Sequence, residues 1–405
     1  MTVTVSDIEA ASDRFDDESV VRETPIETSR LLDEEIGADV RLKMEHLQRT
    51  GSFKTRGAYN KLKRVSKSSP RTTEAIAASA GNHAQGVALT ATKTGLRSTI
   101  VMPKNAPQAK IDATESYGAD VVLHGRNFRE AMDHAQSLVT EESVFVHAYD
   151  DPDIVAGQGT IGLEILSQVP DADTVIVPIG GGGLIAGVAT AIGERSPETR
   201  IIGVQVDGAS TVPQSLQKGE PQTIDSVQTI ADGIATGGIS SLTLDAIETY
   251  VDEVVTVSDT AVAESVLFLL ERTKQLTEGA GAVPVAALQS GAIDVEGETV
   301  VSLLSGGNLS MNDLQRILTH GLTHRGQLVK LQVHIVDQPG EMTTLSELIA
   351  EYGANIRDVN HERSVKELGV ENAYLEFRIE TSGSAQTDRI VDAIRDEGYD
   401  VTRMS

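Results

Sequence analysis

Residues 178–187 read PIGGGGLIAG, and few folds have a use for four consecutive glycines. Glycine loses more conformational freedom on ordering than any other residue, so such a run is kept where a Cβ would obstruct something. The flanks say what. TVIVP, just before it, is a continuous β-branched apolar run of the kind buried on both faces of a parallel sheet. LIAGVATAI, just after it, is apolar enough for a buried helix. The glycines therefore mark a turn from a strand into a helix N-terminus, where backbone N–H groups converge and the helix adds partial positive charge. Such a cup fits one phosphate monoester without a basic side chain. The stretch lacks the Gly-Lys-Ser/Thr ending of a nucleotide P-loop and the spacing of a dinucleotide fingerprint. The lesser alternative for the stretch alone is a flexible glycine loop at a strand end.

Strand-like runs and helical patterns alternate along most of the chain. STIVMP (98–103), DVVLHG (120–125), RIIGVQV (200–206) and TVVSLLSGG (299–307) are short and apolar. Between them lie amphipathic stretches such as NFREAMDHAQSLVTEE and TAVAESVLFLLERTKQL. This predicts an α/β protein with parallel sheet covered on both faces. Near residue 322 the character changes. THRGQLVK is a polar connector, and LQVHIVDQPG then alternates Leu331, Val333 and Ile335 with polar neighbours. A helix (342–352), strands (355–361 and 372–380), a helix (385–397) and a final short strand complete a βαββαβ order, the ferredoxin-like arrangement.

Three further stretches place polar groups at strand ends or helix starts, where α/β sheets hold ligands. SFKTRG puts Lys54 after an aromatic residue at the head of a helical run. SAGNHAQG puts Ser79, Asn82 and free N–H groups at a helix start, able to grip a carboxylate or simply to cap the helix. LLSGGN delivers Ser305 to the C-terminal edge of a strand. A lysine, an uncharged phosphate cup, a carboxylate grip and a lone hydroxyl suit a phosphorylated aldehyde held as an imine. Lysine forms imines when its amine can shed its proton, which desolvation favours. The cofactor these groups suit is pyridoxal 5'-phosphate.

At these residues the chain resembles a known family. TGSFKTRGA, SAGNHAQG, PIGGGGLIAG, TIADGIA, EGAGA and LLSGGN stand in the order found in the serine/threonine dehydratases. These are fold-type II pyridoxal-phosphate enzymes with a tryptophan-synthase-β-like, two-domain catalytic unit. The tail resembles an ACT domain, with DQPGEM at its first turn, and the whole chain is similar to threonine ammonia-lyases with one such regulatory domain. The resemblance implies a catalytic unit over 1–322 with a small subdomain inserted at about 56–152, a linker at 323–329 and an ACT domain at 330–405. It implies that Lys54 carries the cofactor as an imine and then serves as base, with Phe53 beside the ring. Gly180, Gly181, Gly182, Gly183 and Leu184 would bind the phosphate, Asn82 the ring hydroxyl, and Ser305 would face the ring nitrogen. Ser79, with Asn82 and the backbone around Gly81 and His83, would hold the substrate carboxylate. The implied reaction is β-elimination and deamination of L-threonine to 2-oxobutanoate and ammonia. L-Serine ammonia-lyase, giving pyruvate, is the alternative. A non-enzymatic amino-acid sensor is another, although it would be expected to lose Lys54 or the cup. A β-replacing enzyme would need a second nucleophile site.

Departures from relatives narrow the expectation. Serine racemases of the family carry a serine where this chain has Ala80, which has no proton to give. Their divalent-ion carboxylates align with Gln205 and Thr211, so no metal is expected there. His320 and His324, four apart on a helical stretch, lack an obvious acidic third ligand. The ACT resemblance implies an amino-acid effector bound at an interface between two copies, isoleucine being the leading candidate, with Asp337, Gly340 and Asn355 as contacts, and a homo-oligomer, dimer or tetramer. The 405 residues include 34 basic and 60 acidic ones and no cysteine. Thiolate chemistry and disulfides are thereby excluded. The net charge of −26 argues against nucleic-acid or anionic-membrane partners. Spread along the chain, it suggests a halophilic protein kept soluble in concentrated salt, where charges are screened within about 3 Å. The N-terminal stretch lacks a secretory pattern, so the expected location is cytoplasmic.

Overall fold

The computed structural model describes residues 2–224, 226–364 and 368–404. The chain divides into two compact units, Met1–Met311 and Asn312–Ser405. The division falls at the start of the helix Met311–His324, ahead of the polar connector.

The first unit is built on two sheets. One runs, edge to edge, Ile26–Thr28, Asp39–Lys43, Thr299–Leu303, Thr174–Pro178, Arg200–Val206 and Glu253–Val257. Its strands are parallel except for the first. The other runs Asp120–Leu123, Arg97–Met102, Glu74–Ala78 and Ser143–Phe145, all parallel. This second sheet is inserted in the chain between two strands of the first. Every residue of Thr174–Pro178 is buried, as its unbroken apolar composition requires of a strand covered on both faces.

Helix Pro152–Gln168 starts under an Asp151 cap that accepts from the N–H groups of Asp153 and Ile154. It packs on helix Gly183–Arg195 through glycine: a Cβ on Gly187 would lie 2.3 Å from the Val155 carbonyl and 2.5 Å from the Gly159 nitrogen. That contact brings the helix after the glycine run close against its neighbour. The stretch TAVAESVLFLLERTKQL departs from a single α-helix. An α-helix spans Asp259–Phe268 and widens into a π-turn at Leu269–Thr273, closed by Lys274 at φ +62°.

The second unit has the order strand, helix, strand, strand, helix, strand. Leu328–Val336 lies between Asn372–Glu380 and Asp400–Met404, with Asn355–Glu362 on the far side of Asn372–Glu380, all antiparallel. Alternation decides its faces. Val329, Leu331, Val333 and Ile335 point into a core completed by Leu375, Phe377 and Ile379 and by Leu345, Ile349, Ile390 and Ile394 of the two helices. No helix among the described residues is long and apolar enough to cross a membrane.

Candidate active site

Lys54 is the first residue of helix Lys54–Ser68. Its Nζ donates to the Ala148 carbonyl at 3.0 Å and stands 5.1 Å from the centre of the Phe53 ring. Desolvation brings its pKa down to about 8 against the opposing pull of Glu278. The amine is thus far easier to deprotonate than a solvated lysine, as imine formation requires.

What holds this helix start is a buried ion network two residues on. Arg56 is fully buried and bonds both oxygens of buried Glu45, at 2.8 and 2.7 Å, and both of Glu164, at 2.5 and 2.8 Å. Lys43, also fully buried, adds a bond of 2.6 Å to Glu164. Burial raises the Glu45 pKa, but attraction to Arg56 more than offsets this and holds it below its ordinary value. The forked guanidinium matches two carboxylates in a way an ammonium could not. On the other side, Phe53 donates its N–H to the Ser305 carbonyl at 3.2 Å, and Ser52 forms an antiparallel bridge with Gly306. The lysine segment and the LLSGGN segment are therefore stitched together.

The glycine run forms a tight cradle. A Cβ on Gly180 would lie 2.9 Å from Ile234 Cα, and one on Gly183 2.9 Å from Tyr149 Cα. On Gly181 it would sit 2.2–2.4 Å from three atoms of the Tyr149 ring. Gly182 has φ +87° and abuts Thr243, whose Oγ1 donates to the Gly181 carbonyl at 3.0 Å. Helix Gly183–Arg195, which includes buried Leu184, begins with no side-chain cap, so its first N–H groups face the loop unsatisfied. This is a fit for a phosphate.

In SAGNHAQG, Ser79 Oγ accepts from the Gly81 N–H at 3.1 Å, and helix Asn82–Thr94 again starts with no side-chain cap. Its leading N–H groups are left for a carboxylate. The His83 imidazole is buried and bonded to the Val146 carbonyl at 2.9 Å. Desolvation, with Lys54 nearby, takes its pKa down to about 3, so the ring is neutral. Asn82 Nδ2 donates to Glu278 at 2.7 Å, and its Oδ1 accepts from Asn308 at 2.8 Å. Buried Ser305 donates to the Ala280 carbonyl at 3.3 Å. Gln205 Oε1 accepts from the N–H groups of Thr211 and Val212, at 3.1 and 2.9 Å, so its amide pins that loop.

Two groups in this neighbourhood escaped the sequence. Glu278 lies within EGAGA, yet only the structure shows it buried, with its pKa raised to about 7, chiefly by desolvation. An acid immediately before the apolar helix GAGAVPVAAL was an available signal, since acids are rarely buried without a partner. Tyr149, whose ring covers Gly181, carried none.

The effector candidates do not assemble within one chain. Asp337 is engaged by Arg363 at 2.5 and 3.1 Å. Gly340 opens helix Glu341–Glu351, which has no side-chain cap. Asn355 bonds Glu380 at 3.1 Å and pairs in register with it, at the Leu328 end of the sheet. Asp337 follows the Val336 end of the same strand. Eight residues of strand at ~3.3 Å each separate the two ends.

A half-buried lysine with a lowered pKa, an uncapped glycine-rich helix start and a strand-end serine suit a pyridoxal-phosphate site, and the chain belongs to the pyridoxal-phosphate-dependent enzyme family, whose model matches residues 18–306. It is similar to the L-threonine ammonia-lyase of Thermotoga maritima, 43% identical over 400 residues, covering 98% of this chain and 99% of the relative. The catabolic L-threonine dehydratase of Escherichia coli K12 is 42% identical over 320 residues, which is 78% of this chain but 96% of its own length. Among solved structures, the processed form of threonine deaminase isoform 2 from Solanum lycopersicum is similar at TM-score 0.73 and 36% identity, covering 78% of this chain and 92% of that one. The chain is thus an enzyme, a lyase, and its cofactor is pyridoxal phosphate.

Proposed function

We propose that the enzyme deaminates L-threonine to 2-oxobutanoate and ammonia. The observation that carries this is Lys54, at about pH 8 half deprotonated, placed between a neutral phosphate cradle and an uncharged Ser305. When bound, pyridoxal phosphate supplies an electron sink that makes the substrate Cα–H acidic. The residues do the rest. The glycine cradle and the start of helix Gly183–Arg195 hold the phosphate. Ser79 and the N–H groups of Gly81, Asn82 and His83 hold the substrate carboxylate. Lys54 Nζ takes the Cα proton. Ser305, a hydroxyl instead of a carboxylate, would face the ring nitrogen without a charge to hold a proton there, and the β-hydroxyl leaves with one proton as water. Water then replaces nitrogen on the released enamine, giving the keto acid and ammonia. Similarity to a full-length threonine ammonia-lyase supports threonine over serine.

The second unit has the strand order of an ACT domain, and we assign residues 330–405 to one, with 323–329 as linker and a small catalytic subdomain at about 56–152. Asp337 and the uncapped helix start at Gly340 of one copy, with Asn355 of a second, are the effector contacts, with isoleucine as inhibitor. The working protein is a cytoplasmic homo-oligomer, and its charge of −26 suits concentrated salt. Keto-acid release from L-threonine and L-serine, measured in high salt with and without isoleucine, tests these assignments. Faster 2-oxobutanoate formation, suppressed by isoleucine, is expected. Pyruvate from serine alone would move the activity to a serine ammonia-lyase.

A further inference from the structure

We propose that Glu278 is a positioning residue for the cofactor ring, acting through Asn82: it takes one Asn82 N–H so that the other is presented to the ring hydroxyl. The proposal rests on the assignment of Asn82 to that hydroxyl.

An asparagine amide has two donor hydrogens and one acceptor oxygen. The Asn82 oxygen is held by Asn308 Nδ2 at 2.8 Å, and Asn308 Nδ2 is itself anchored on the Thr50 carbonyl at 2.6 Å. The Asn82 nitrogen donates to Glu278 Oε1 at 2.7 Å. A flipped amide would set N–H groups against the Asn308 donor and an oxygen against the Glu278 carboxyl. The pair of contacts therefore fixes one orientation and leaves one N–H over.

The space around Glu278 is shaped for its carboxyl. A Cβ on Gly306 would lie 2.5 Å from Oε1, and one on Gly233 would lie 2.7 Å from the same oxygen. Two glycines on separate segments clear room for one atom. Gly306 follows Ser305, and Gly233 lies in ADGIATGG, so the carboxyl stands where the ring-nitrogen segment, the Asn82 helix and that loop meet. A purely structural part is not evident. Glu278 precedes helix Gly279–Gln289 but its side chain makes no capping bond.

The charged groups facing Glu278 are Lys54, Lys110 and Asp232, the last two paired at 3.1 Å. Burial outweighs the Asn82 hydrogen bond and the two lysines and lifts the carboxyl to about 7. Glu278 therefore changes charge across neutral pH while keeping an acceptor oxygen on Asn82. Above that pH an anion sits one amide away from where the ring hydroxyl would bind and would disfavour negative charge there, which the visible absorption of bound cofactor would report.

The test uses the full chain reconstituted with pyridoxal phosphate, with cofactor dissociation constants and the pH titration of its visible band as readouts. Glu278→Ala and Asn82→Ala should each weaken cofactor binding about tenfold, the usual consequence of a lost buried hydrogen bond. The double variant should bind no more weakly than the worse single one, because both remove the same contact. Glu278→Gln should keep the affinity and lose the absorbance step near neutral pH. Should Glu278→Ala fail to fold, the Glu278→Gln titration still decides. Additive losses, wild-type affinity in Glu278→Ala, or a neutral step that survives in Glu278→Gln would overturn the proposal, while threonine turnover by the wild type would leave the assigned function standing. A wild type that takes up no cofactor would overturn both.

Discussion

Replacing Arg56 with methionine removes the guanidinium that reaches Glu45 and Glu164 at once. The structure apportions the cost. Glu164 keeps its 2.6 Å bond to Lys43, and its side chain is 17% exposed. Among the described residues, Glu45 is fully buried and keeps hydrogen bonds from neutral partners alone, Thr24 Oγ1 at 2.5 Å and Gln48 Nε2 at 3.3 Å, with Lys43 attracting it through space without a bond. Stranding a buried charge in this way costs about 3–5 kcal/mol, and most of it falls on Glu45. Adding Glu45→Gln to Arg56→Met should therefore recover most of the loss. The pH dependence has a definite sign. In the wild type the Glu45 pKa lies below its ordinary 4.5. Its contribution is complete above that value and is lost as pH falls through the lowered one. In Arg56→Met, burial without the guanidinium raises that pKa, so the variant gains relative stability as acid protonates Glu45. The gap between the two proteins should narrow as pH drops from neutral toward 4.5. Urea unfolding of both at several pH values, followed by circular dichroism, measures it. A gap under about 1 kcal/mol at neutral pH, or one that widens on acidification, would refute a charge-based account, since breaking a buried pair costs several times that.

Lys54→Ala should abolish the visible absorption of bound cofactor together with keto-acid production, and full turnover in that variant would remove Lys54 from the chemistry. In the wild type, the rate of cofactor uptake should rise as pH passes through about 8, because only the free amine attacks an aldehyde; a rate independent of pH would contradict the lowered pKa. Gly181→Ala drives a methyl into the Tyr149 ring and should weaken cofactor binding at least tenfold, about the effect of a steric misfit of 1.4 kcal/mol; unchanged affinity measured by absorbance titration would mean the cradle is looser than its contacts indicate. Removing residues 328–405 should abolish the response to isoleucine while basal threonine turnover persists, and a shortened enzyme that still responds would place the effector elsewhere.

Much of the site was legible because its chemistry is written in short contiguous stretches. The four glycines, the lysine at a helix start and the serine at a strand end each announce themselves within ten residues, since backbone turns and helix ends are local events. The βαββαβ order of the tail was legible for the same reason: alternation over a few residues already separates a buried face from an exposed one. That Asn355 and Asp337 lie at opposite ends of the tail sheet was not legible, because periodicity gives a strand its faces but not which end of the sheet a residue occupies. Arg56, Glu45 and Lys43 sit in a segment whose charges look like a solvated surface, and their burial follows only from the packing of Pro152–Gln168, which brings Glu164 to them.

The sequence by itself determined where this chain can hold a phosphate, which amine can form an imine, and that two differently patterned regions share it. Tertiary structure alone decided the charge states of the site. Asn82 and Glu278 stand 196 positions apart, and no local pattern relates them. A carboxyl's pKa depends on how much water the fold removes from it and on which dipoles replace that water, and both are properties of the assembled site.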